Sequence, residues 1–464
     1  MNMPTRLRPF AVFAAMVASG FSARAEAPAA LPAGKPAPNI LVILADDLGY
    51  ADLGFTGCRD IQTPHIDRLA KQGVFFSDGH VAASVCAPSR CGLLTGLAPA
   101  RQGFDDNGDM LLPGSRTIGH ALHGAGYTTL GVGKWHMGPD PLAMGFDHFT
   151  GLSGGGRSYY PAEKTGKNQR LTRDGQDVEM AGWTYLTDFL TEEGMRLIKG
   201  REAGKPFFLY MSYTTPHTPL DTRPDLAKKY AGIASKSRRT YAAMVASLDE
   251  EVGQWMDFLD KEKLTDNTIV VFLSDNGGAT INNSDNGPWR GMKGSYWEGG
   301  QRVPFIVSWP GTLKAGTYAK AVSSLDFIPT FLGASGKTVA QPNDGVNLLP
   351  FIQGENPGLP HRNLFWRFSN VQAVRDLDLM LIRTFEEDGS VHAVTLFDLA
   401  ADPGQTKDLA ASRPADRDRL LGLLDEWNKT NAAPRALVGR TYRDNIRRKH
   451  EMDVIGREAE RKLP

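Results

Sequence analysis

The sequence predicts an α/β protein in which helices sandwich a large, mostly parallel sheet, followed by a smaller α+β domain with an antiparallel sheet. Two observations lead to this prediction. Wholly apolar runs alternate with segments of helical periodicity over most of the chain, and this pattern changes near residue 355. Alternation of strand and helix is typical of the α/β class.

Five apolar runs are the candidate strands of the large sheet. They are short, and they lack the polar alternation of a strand with one face in solvent. Such runs are typical of strands that helices cover on both faces, as in a parallel sheet. The runs are 40–44, 128–132, 207–211, 269–273 and 305–307.

The helices between these runs are predicted from their ends and their spacing. Thr63 is a cap residue, Pro64 suits a first helical turn, and Gly73 is a stop signal. A second helix is predicted within 117–126. The segment 241–259 has apolar residues at helical spacing and predicts a third helix.

The boundaries follow from these changes of pattern. Residues 39–355 are expected to form the large domain, and residues 356–440 the small α+β domain. In the small domain we expect antiparallel strands at 370–383 and 391–399, joined by a turn at Asp388-Gly389, and then a helix with Leu420, Leu421, Leu424 and Trp427 on one face. The charged tail, 441–464, is expected to be loosely held.

Composition excludes several classes of protein. The 464 residues include 52 Lys and Arg against 52 Asp and Glu, so no net positive charge favours nucleic-acid binding. A hydrophobic share of 41% with 22% charged residues is typical of a globular protein and excludes a disordered or collagen-like chain. Three cysteines are too few for a disulfide scaffold.

The N-terminus has the pattern of a secretory signal peptide, residues 1–25. Arg6 and Arg8 precede an apolar run at 10–17, and Ala23-Arg24-Ala25 resembles a cleavage site. The run is too short to span a membrane. We therefore expect a periplasmic or secreted protein without membrane insertion, in which residues 26–38 are a linker.

Acidic and amide side chains follow two of the candidate strands directly. Asp46 and Asp47 come after the first strand, and Asp275 and Asn276 after the fourth. Ligands collect at the carboxyl ends of strands in such sheets. Oxygen ligands alone favour Ca²⁺ or Mg²⁺ over zinc. The alternative is that each pair caps a following helix or turn.

Two further features of the sequence have no predicted chemical role. The acidic segment 105–109 lacks a preceding strand and the closing Glu of an EF-hand loop, so we expect a solvated turn, at most near the rim of the site. Cys58 and Cys91 are expected to be spare thiols, with a disulfide between them left open by export.

The segment Cys86-x-Pro88-Ser89-Arg90, continuing into Leu94-Thr95-Gly96, resembles the signature of the formylglycine-dependent sulfatases, in the alkaline-phosphatase superfamily. The resemblance extends from about residue 39 to 410 in the family's order. Its other motifs lie at 46–47, 133–136, 216–219, 274–277, 293–304 and 396–403.

The resemblance implies an alkaline-phosphatase-like fold and an exported sulfatase whose catalytic domain is 39–355. In that family a formylglycine-generating maturation enzyme oxidises the signature cysteine, here Cys86, to Cα-formylglycine (3-oxoalanine). The family also implies one divalent cation, Ca²⁺ in the first place and Mg²⁺ as the alternative. Its ligands would be Asp46, Asp47, Asp275 and Asn276, with the modified Cys86 as a further one. A sulfated carbohydrate is the expected substrate.

The same resemblance implies roles for five further residues. Lys134 and Lys293 would contact sulfate oxygens, and Arg90 would hold the hydrated formylglycine. One hydroxyl of that diol would attack sulfur, while His217 would protonate the departing oxygen, with Lys293 as a second candidate. His136 would take the proton from the other hydroxyl as sulfate leaves.

The sequence leaves two rival functions open, and it contains three loops that are candidates for contact with a sugar. The rivals are a phosphatase or phosphodiesterase of the same superfamily, and a glycan-binding, sulfatase-like protein without catalysis. Segments 154–160, 289–290 and 296–297 combine aromatic side chains with Arg and could contact a sugar, although such residues also serve in packing.

Overall fold

The structure is a computed structural model that describes residues 36–161, 169–435 and 440–451. The signal peptide predicted at 1–25 and most of the linker predicted at 26–38 lie outside these ranges. Among the described residues, none of the helices is long and apolar enough to span a bilayer.

The described residues contain strands and helices in the following order. The strands are β1 (Asn39–Ala45), β2 (Val74–Phe76), β3 (Gly79–His80), β4 (Thr128–Lys134), β5 (His148–Leu152), β6 (Thr172–Arg173), β7 (Gln176–Asp177), β8 (Phe207–Ser212), β9 (Thr268–Ser274), β10 (Phe305–Ser308), β11 (Gly316–Tyr318), β12 (Val322–Ser323), β13 (Asn363–Phe368), β14 (Val371–Asp376), β15 (Leu379–Phe385) and β16 (Val391–Asp398). The helices are α1 (Pro64–Gln72), α2 (Cys86–Thr95), α3 (Ile118–Gly124), α4 (Leu186–Gly200), α5 (Pro224–Lys229), α6 (Lys236–Lys261), α7 (Glu298–Gln301), α8 (Phe327–Ala334), α9 (Leu349–Ile352), α10 (Pro414–Asn428) and α11 (Arg440–Glu451).

A ten-stranded mixed sheet forms the large domain, in the order β11-β2-β10-β9-β1-β8-β4-β5-β6-β7. Its centre, from β9 to β5, is parallel. Four of the five predicted runs are strands of this parallel centre. The fifth, β10, pairs antiparallel with β9, because an apolar run indicates burial on both faces but not strand direction.

Helices cover both faces of this sheet, as predicted. Alternate side chains of β1 point to opposite faces: Leu41 and Ile43 pack with α1, α4, α5 and α6, while Ile40 and Val42 pack with α2, α3, α8 and α9. The central strands are wholly buried. The polar residues at the strand ends therefore follow directly after buried strands.

The small domain is built on an antiparallel sheet in the order β13-β14-β15-β16. The predicted strand at 370–383 is divided by a turn in which Leu377 has a φ of 55°, and β13 adds a strand that was not predicted. One face of this sheet packs on α10 through Leu420, Leu424 and Trp427. The other face packs on the large domain and on α11.

The predicted helices are present with small differences at their ends. Helix α1 begins at Pro64 after Thr63, and α3 ends at Gly124 rather than at Gly126. Helix α6 contains the predicted segment 241–259 and extends it at both ends. The expectation of a loosely held tail is wrong for α11, because Ile446 is only 1% exposed.

Candidate active site

Four neighbouring parallel strands deliver polar side chains to one edge of the large sheet. Asp46 and Asp47 follow β1, Lys134 ends β4, His217 lies in the loop after β8, and Asp275 follows β9. These strands are adjacent in the order β9-β1-β8-β4. Their carboxyl ends meet at the edge where such sheets bind ligands, so the predicted residues come together.

The two aspartates after β1 differ in conformation and in partners. Asp46 accepts a 2.7 Å hydrogen bond from Lys134 Nζ, and it is fully buried. Asp47 has a φ of 65°, an uncommon conformation for a residue other than Gly that is often found at functional sites. Burial opposes ionisation of Asp47, but Lys293 and His217 together hold its pKa well below its usual range.

Asp275 and Asn276 complete the oxygen-rich wall. The Asp275 Oδ2 atom accepts from Arg90 Nε at 2.9 Å, and Asn276 Nδ2 donates to Asp47 Oδ1 at 2.7 Å. Burial raises the pKa of Asp275, and the nearby carboxylate of Asp46 raises it further. Asn276 Oδ1 is buried and accepts no hydrogen bond within the described part of the chain.

These side chains fit a divalent cation. The donor atoms of Asp46, Asp47, Cys86 and His217 all lie within 4.8 Å of one another. A cation would offset the repulsion between the carboxylates and would use the vacant oxygen of Asn276, and oxygen donors suit Ca²⁺ or Mg²⁺. Asp46, Asp47, Asn276 and Asp275 would hold it.

Cys86 is the first residue of α2, where the amide groups of the helix N-terminus face outward. Its Sγ lies 3.0 Å from Lys293 Nζ and 3.6 Å from Asp46 Oδ1. Burial alone would raise the pKa of the Cys86 thiol, but Lys134 and Lys293 hold it well below its usual value. The side chain is therefore buried among charges rather than packed as an inert core cysteine.

Arg90 lies one helical turn after Cys86, on the same face of α2. Its guanidinium spans the strand ends: besides Asp275, it contacts Ser212 Oγ and donates to the carbonyl oxygen of Lys134 at 3.1 Å. It is fully buried. Ser212, at the end of β8, also donates to that carbonyl oxygen at 2.8 Å. Sequence reasoning missed Ser212, since only the pairing of β8 with β4 brings it there.

Lys293 reaches the site from outside the parallel strands. Its Nζ lies 2.7 Å from Asp47 Oδ1 and 3.0 Å from Cys86 Sγ. Burial would lower the pKa of Lys293, but the carboxylate of Asp47 holds it well above its usual value. A permanent positive charge thus lies directly beside residue 86.

The two histidines of the predicted site differ in how their surroundings shift the pKa. Burial alone would lower the pKa of His217, but the carboxylates of Asp46 and Asp47 raise it to about 9. Burial lowers the pKa of His136, which has a φ of 61°. The pKa values of the two histidines are therefore shifted in opposite directions, upward for His217 and downward for His136.

A cavity of about 420 Å³ opens beside His217. Its volume falls within the range of about 300–1,000 Å³ typical of small-molecule sites. His217 also lies 3.6 Å from Asp47, so its ring connects the cavity with the charged cluster. The residues that line the cavity are Gly156, Arg157, Ser158, Gln169, His217, Thr218 and Pro219.

The acidic segment 105–109 is not the solvated turn that was expected. Asp105 is 1% exposed and pairs with Arg367 of the small domain at 2.7 Å. Asn107 Oδ1 accepts from the backbone N–H of Ala87 at 2.9 Å, so this segment caps the helix that carries Cys86. No local pattern signals this contact, because its two partners are twenty residues apart.

Of the three candidate sugar loops, 296–297 is a packing contact, and 154–160 is divided between packing and the cavity. Tyr296 and Trp297 are buried against the small domain, where Trp297 contacts Phe397. In the loop 154–160, Tyr159 is buried and donates to the carbonyl oxygens of Thr214 and His217. Its neighbours 156–158 do line the cavity.

The three cysteines carry free thiols. Cys91 belongs to the core on one face of the large sheet, and Cys58 packs against the core on the other. The sheet therefore separates them, and the disulfide left open at first is not formed.

Comparisons with known proteins agree with this geometry. A family model described as Sulfatase matches residues 38–337, and a second, described as N-sulphoglucosamine sulphohydrolase, C-terminal, matches residues 292–418. Among curated proteins, the chain is 31% identical to human arylsulfatase A over 88% of this chain and 90% of that protein. It is 31% identical to human N-acetylgalactosamine-6-sulfatase over 72% of each.

Solved structures show the same fold. The crystal structure of Ps i-CgsB in complex with k-i-k-neocarrahexaose superposes with a TM-score of 0.80 at 34% identity, over 89% of this chain and 97% of that one. Phosphonate monoester hydrolase of Agrobacterium radiobacter, with a TM-score of 0.63 at 19% identity over 85% of this chain and 95% of that one, shares the fold alone. The chain belongs to the sulfatase family, with an alkaline-phosphatase-like fold, and is a sulfuric ester hydrolase.

Proposed function

We propose that the protein is an exported sulfatase that removes sulfate from a carbohydrate, with a nucleophile formed from Cys86. The observation on which this depends is the position of Cys86 Sγ, buried at a helix N-terminus between Lys293 and the carboxylate of Asp46. A sulfate group bound there would meet cations on one side and a nucleophile on the other, as transfer of a sulfuryl group requires.

Each neighbouring side chain has a task that its charge supports. Lys134 and Lys293 hold the sulfate oxygens as point charges. Arg90 holds the matured side chain at position 86. A divalent cation, Ca²⁺ in the first place, would acidify the hydroxyl group that attacks sulfur and polarise the sulfate. The modification of Cys86 requires a formylglycine-generating enzyme.

Proton transfer is divided between the two histidines. His217 lies at the wall of the cavity, where the sugar oxygen would depart, so it donates a proton to that oxygen. His136 is neutral, and its buried Nδ1 has no hydrogen-bond partner among the described residues. It therefore serves as the base that takes the proton from the second hydroxyl of the hydrated formylglycine as sulfate leaves.

The expected substrate is a sulfated sugar. The residues that line the cavity beside His217 include Arg157, Ser158 and Gln169, whose side chains are suited to hydroxyl and acidic groups. Two relatives also support a carbohydrate: one is named N-acetylgalactosamine-6-sulfatase, and another was solved with k-i-k-neocarrahexaose. The N-terminal pattern at 1–25 supports export.

The test combines mass spectrometry with an assay of sulfate release. Maturation lowers the mass of the peptide that contains residue 86 by about 18 Da, through replacement of the thiol by an aldehyde. We expect this peptide in protein from the native host, together with sulfate release from sulfated mono- or disaccharides. An active protein whose Cys86 remains an unmodified thiol would contradict the proposal.

Metal dependence is tested on the same preparation. A chelator should strongly reduce sulfate release, and Ca²⁺ or Mg²⁺ should restore it, because the ligands are oxygen atoms. Restoration by zinc but not by calcium would contradict the assigned ligand set. Two zinc ions per chain would favour the phosphatase alternative.

A further inference from the structure

Helix α11, Arg440–Glu451, lies beyond both matched family regions, which end at residues 337 and 418. It nevertheless packs close to the active site. Ile446 belongs to the apolar cluster that also contains Trp297 and Val85, the residue before Cys86. The helix therefore shares one apolar cluster with the residue before Cys86 and with the segment that follows Lys293.

The second contact of α11 is made by His450. Its Nε2 accepts a 2.8 Å hydrogen bond from the backbone N–H of Tyr296, while Nδ1 lies 2.9 Å from the carbonyl oxygen of Ile446. Burial lowers the pKa of His450 to about 4. The ring is thus neutral, with Nδ1 as donor and Nε2 as acceptor, and it binds the main chain three residues after Lys293.

The third contact reaches Lys293 itself. Lys449 Nζ donates a 2.8 Å hydrogen bond to the carbonyl oxygen of Lys293. The next residue, Gly294, has a φ of 81°, and a Cβ atom there would lie 2.9 Å from Lys449 Nζ. Glycine therefore permits both the turn and the close approach of the lysine.

These contacts hold the segment that carries Lys293, whose ammonium group is the cation beside residue 86. The Lys293 ammonium must remain between Asp47 and residue 86, yet the segment belongs to no strand of the large sheet. Its other main-chain bonds run from Lys293 N to Gly278 O and from Gly294 N to Ser84 O. Without α11, the carbonyl oxygen of Lys293 would lose its charged donor.

We propose that α11 is part of the active site and that Lys449 is a positioning residue, which holds the main chain at Lys293 so that its ammonium group faces the sulfate. This inference rests on the proposed function, because it assigns Lys293 to the sulfate. It adds a residue from outside the matched family regions to the determinants of that reaction.

The test uses Lys449→Met, Lys449→Arg and, as a matched control on the exposed side of the same helix, Arg448→Met. Binding of inorganic sulfate to the mature enzyme is measured by calorimetry, with kcat and KM on a sulfate ester. Lys449→Met should weaken sulfate binding and lower kcat/KM by about tenfold, as expected for one lost charged hydrogen bond. Lys449→Arg should restore most of both, and the control should change neither.

A double variant separates positioning from direct contact. In a Lys293→Ala background, Lys449→Met should have no further effect on sulfate binding, because its effect passes through Lys293. Equal losses in both backgrounds would mean that Lys449 contacts the anion itself and would overturn the proposal. Unchanged sulfate binding by Lys449→Met would also overturn it. So would a loss of sulfate binding that parallels a fall in melting temperature and is not restored by Lys449→Arg.

The proposed function fails in a different way. A wild-type protein that neither binds sulfate nor hydrolyses sulfate esters would overturn both proposals. If the wild-type protein binds sulfate and hydrolyses sulfate esters, and the Lys449→Met variant does so equally well, only the role of α11 is overturned.

Discussion

Two buried charge clusters in this molecule have similar composition and different architecture. The first is the active site around Asp46 and Asp47. The second lies between the two domains and contains Asp78, His80 and Glu298 together with Arg302 and Arg375. Each brings together acidic and histidine side chains close enough to hold a metal ion.

The clusters differ in the cations that neutralise the acids. In the second cluster, Arg375 donates to both carboxylate oxygens of Asp78, each at 2.8 Å, and Arg302 donates to Glu298 at 3.0 Å. Such forks have fixed geometry. In the candidate active site, Arg90 pairs with Asp275, but Asp46 and Asp47 each face a lysine, a point charge that can turn towards a ligand.

Access differs as well. The active-site cluster connects to the cavity through His217, whereas the second is enclosed by β3, β14 and α7. Acid count therefore does not identify a reactive site. Lysine side chains that face the acids beside an accessible cavity indicate a reactive site. Bidentate arginine pairs in a closed interface indicate a structural contact between domains.

The largest effect is expected at the active site. Cys86→Ala should lower kcat by about 10⁴-fold or more, the loss typical of removing a nucleophile, and leave the fold intact. Kinetics and thermal unfolding measure the two properties. Cys91→Ala, on the same helix, is the control and should retain activity. Full activity of Cys86→Ala would remove the basis for calling this cluster reactive.

The second cluster should respond in stability instead. Arg375→Met leaves Asp78 buried without its fork and should lower the free energy of unfolding by about 3–5 kcal/mol, as measured by urea denaturation. The kcat of folded enzyme should stay within about twofold of wild type.

An exposed pair provides the control for Arg375. Arg68 lies 3.7 Å from Asp257 with both side chains largely in solvent, so Arg68→Met should cost about 0–1 kcal/mol. If Arg375→Met instead lowered activity without loss of stability, the two clusters would not differ as described.

The next prediction concerns His217, which lies between the charged cluster and the cavity. His217→Gln should lower kcat/KM on a sugar sulfate by about 10²-fold, because a poor leaving oxygen needs a proton. The loss on 4-nitrophenyl sulfate should be much smaller, since nitrophenolate departs without one. The exposed His123→Gln is the control. Equal losses on both substrates would contradict the role of His217 as the acid.

Apart from the controls, the smallest effect is expected at an isolated pair away from both clusters. Burial opposes protonation of His361, but Asp326, 2.8 Å from its Nε2, raises the pKa of His361 overall. The protonated pair therefore stabilises the protein fully below pH about 6.5, and this contribution is lost as the pH rises through the raised value.

His361→Gln should remove this contribution. The variant should be less stable by about 1.5 kcal/mol at low pH, the lower end for a hydrogen bond to a charged group, and the difference should narrow above pH 7. Melting temperatures across pH 5–9 measure it. A difference that grows with pH would contradict the assigned sign.

The clustering of the candidate site residues was predictable because most of them follow the carboxyl ends of apolar strands. Asp46, Lys134 and Asp275 each lie next to a run whose burial is encoded locally by its apolar side chains. The family signature at 86–90 then connected these strand ends to a chemistry.

Other parts of the molecule gave no such signal. The antiparallel direction of β10 depends on its partner β9 and not on its own composition. Tyr296 and Trp297 resembled sugar-contacting residues, since an aromatic side chain looks the same in the sequence whether it covers a ligand or a neighbouring domain. Asn107 and Lys449 touch the site only because distant segments return to it.

Local chemistry thus specified the alternation of strands and helices, the polar groups at the strand ends and the cysteine of the family signature. Tertiary structure determined three other features: the register between strands, the pairing of the second cluster's acids with arginines, and the docking of α11 on the segment of Lys293. The physical reason is that burial and helix ends depend on neighbours along the chain, whereas counter-ions and caps depend on which distant segments meet.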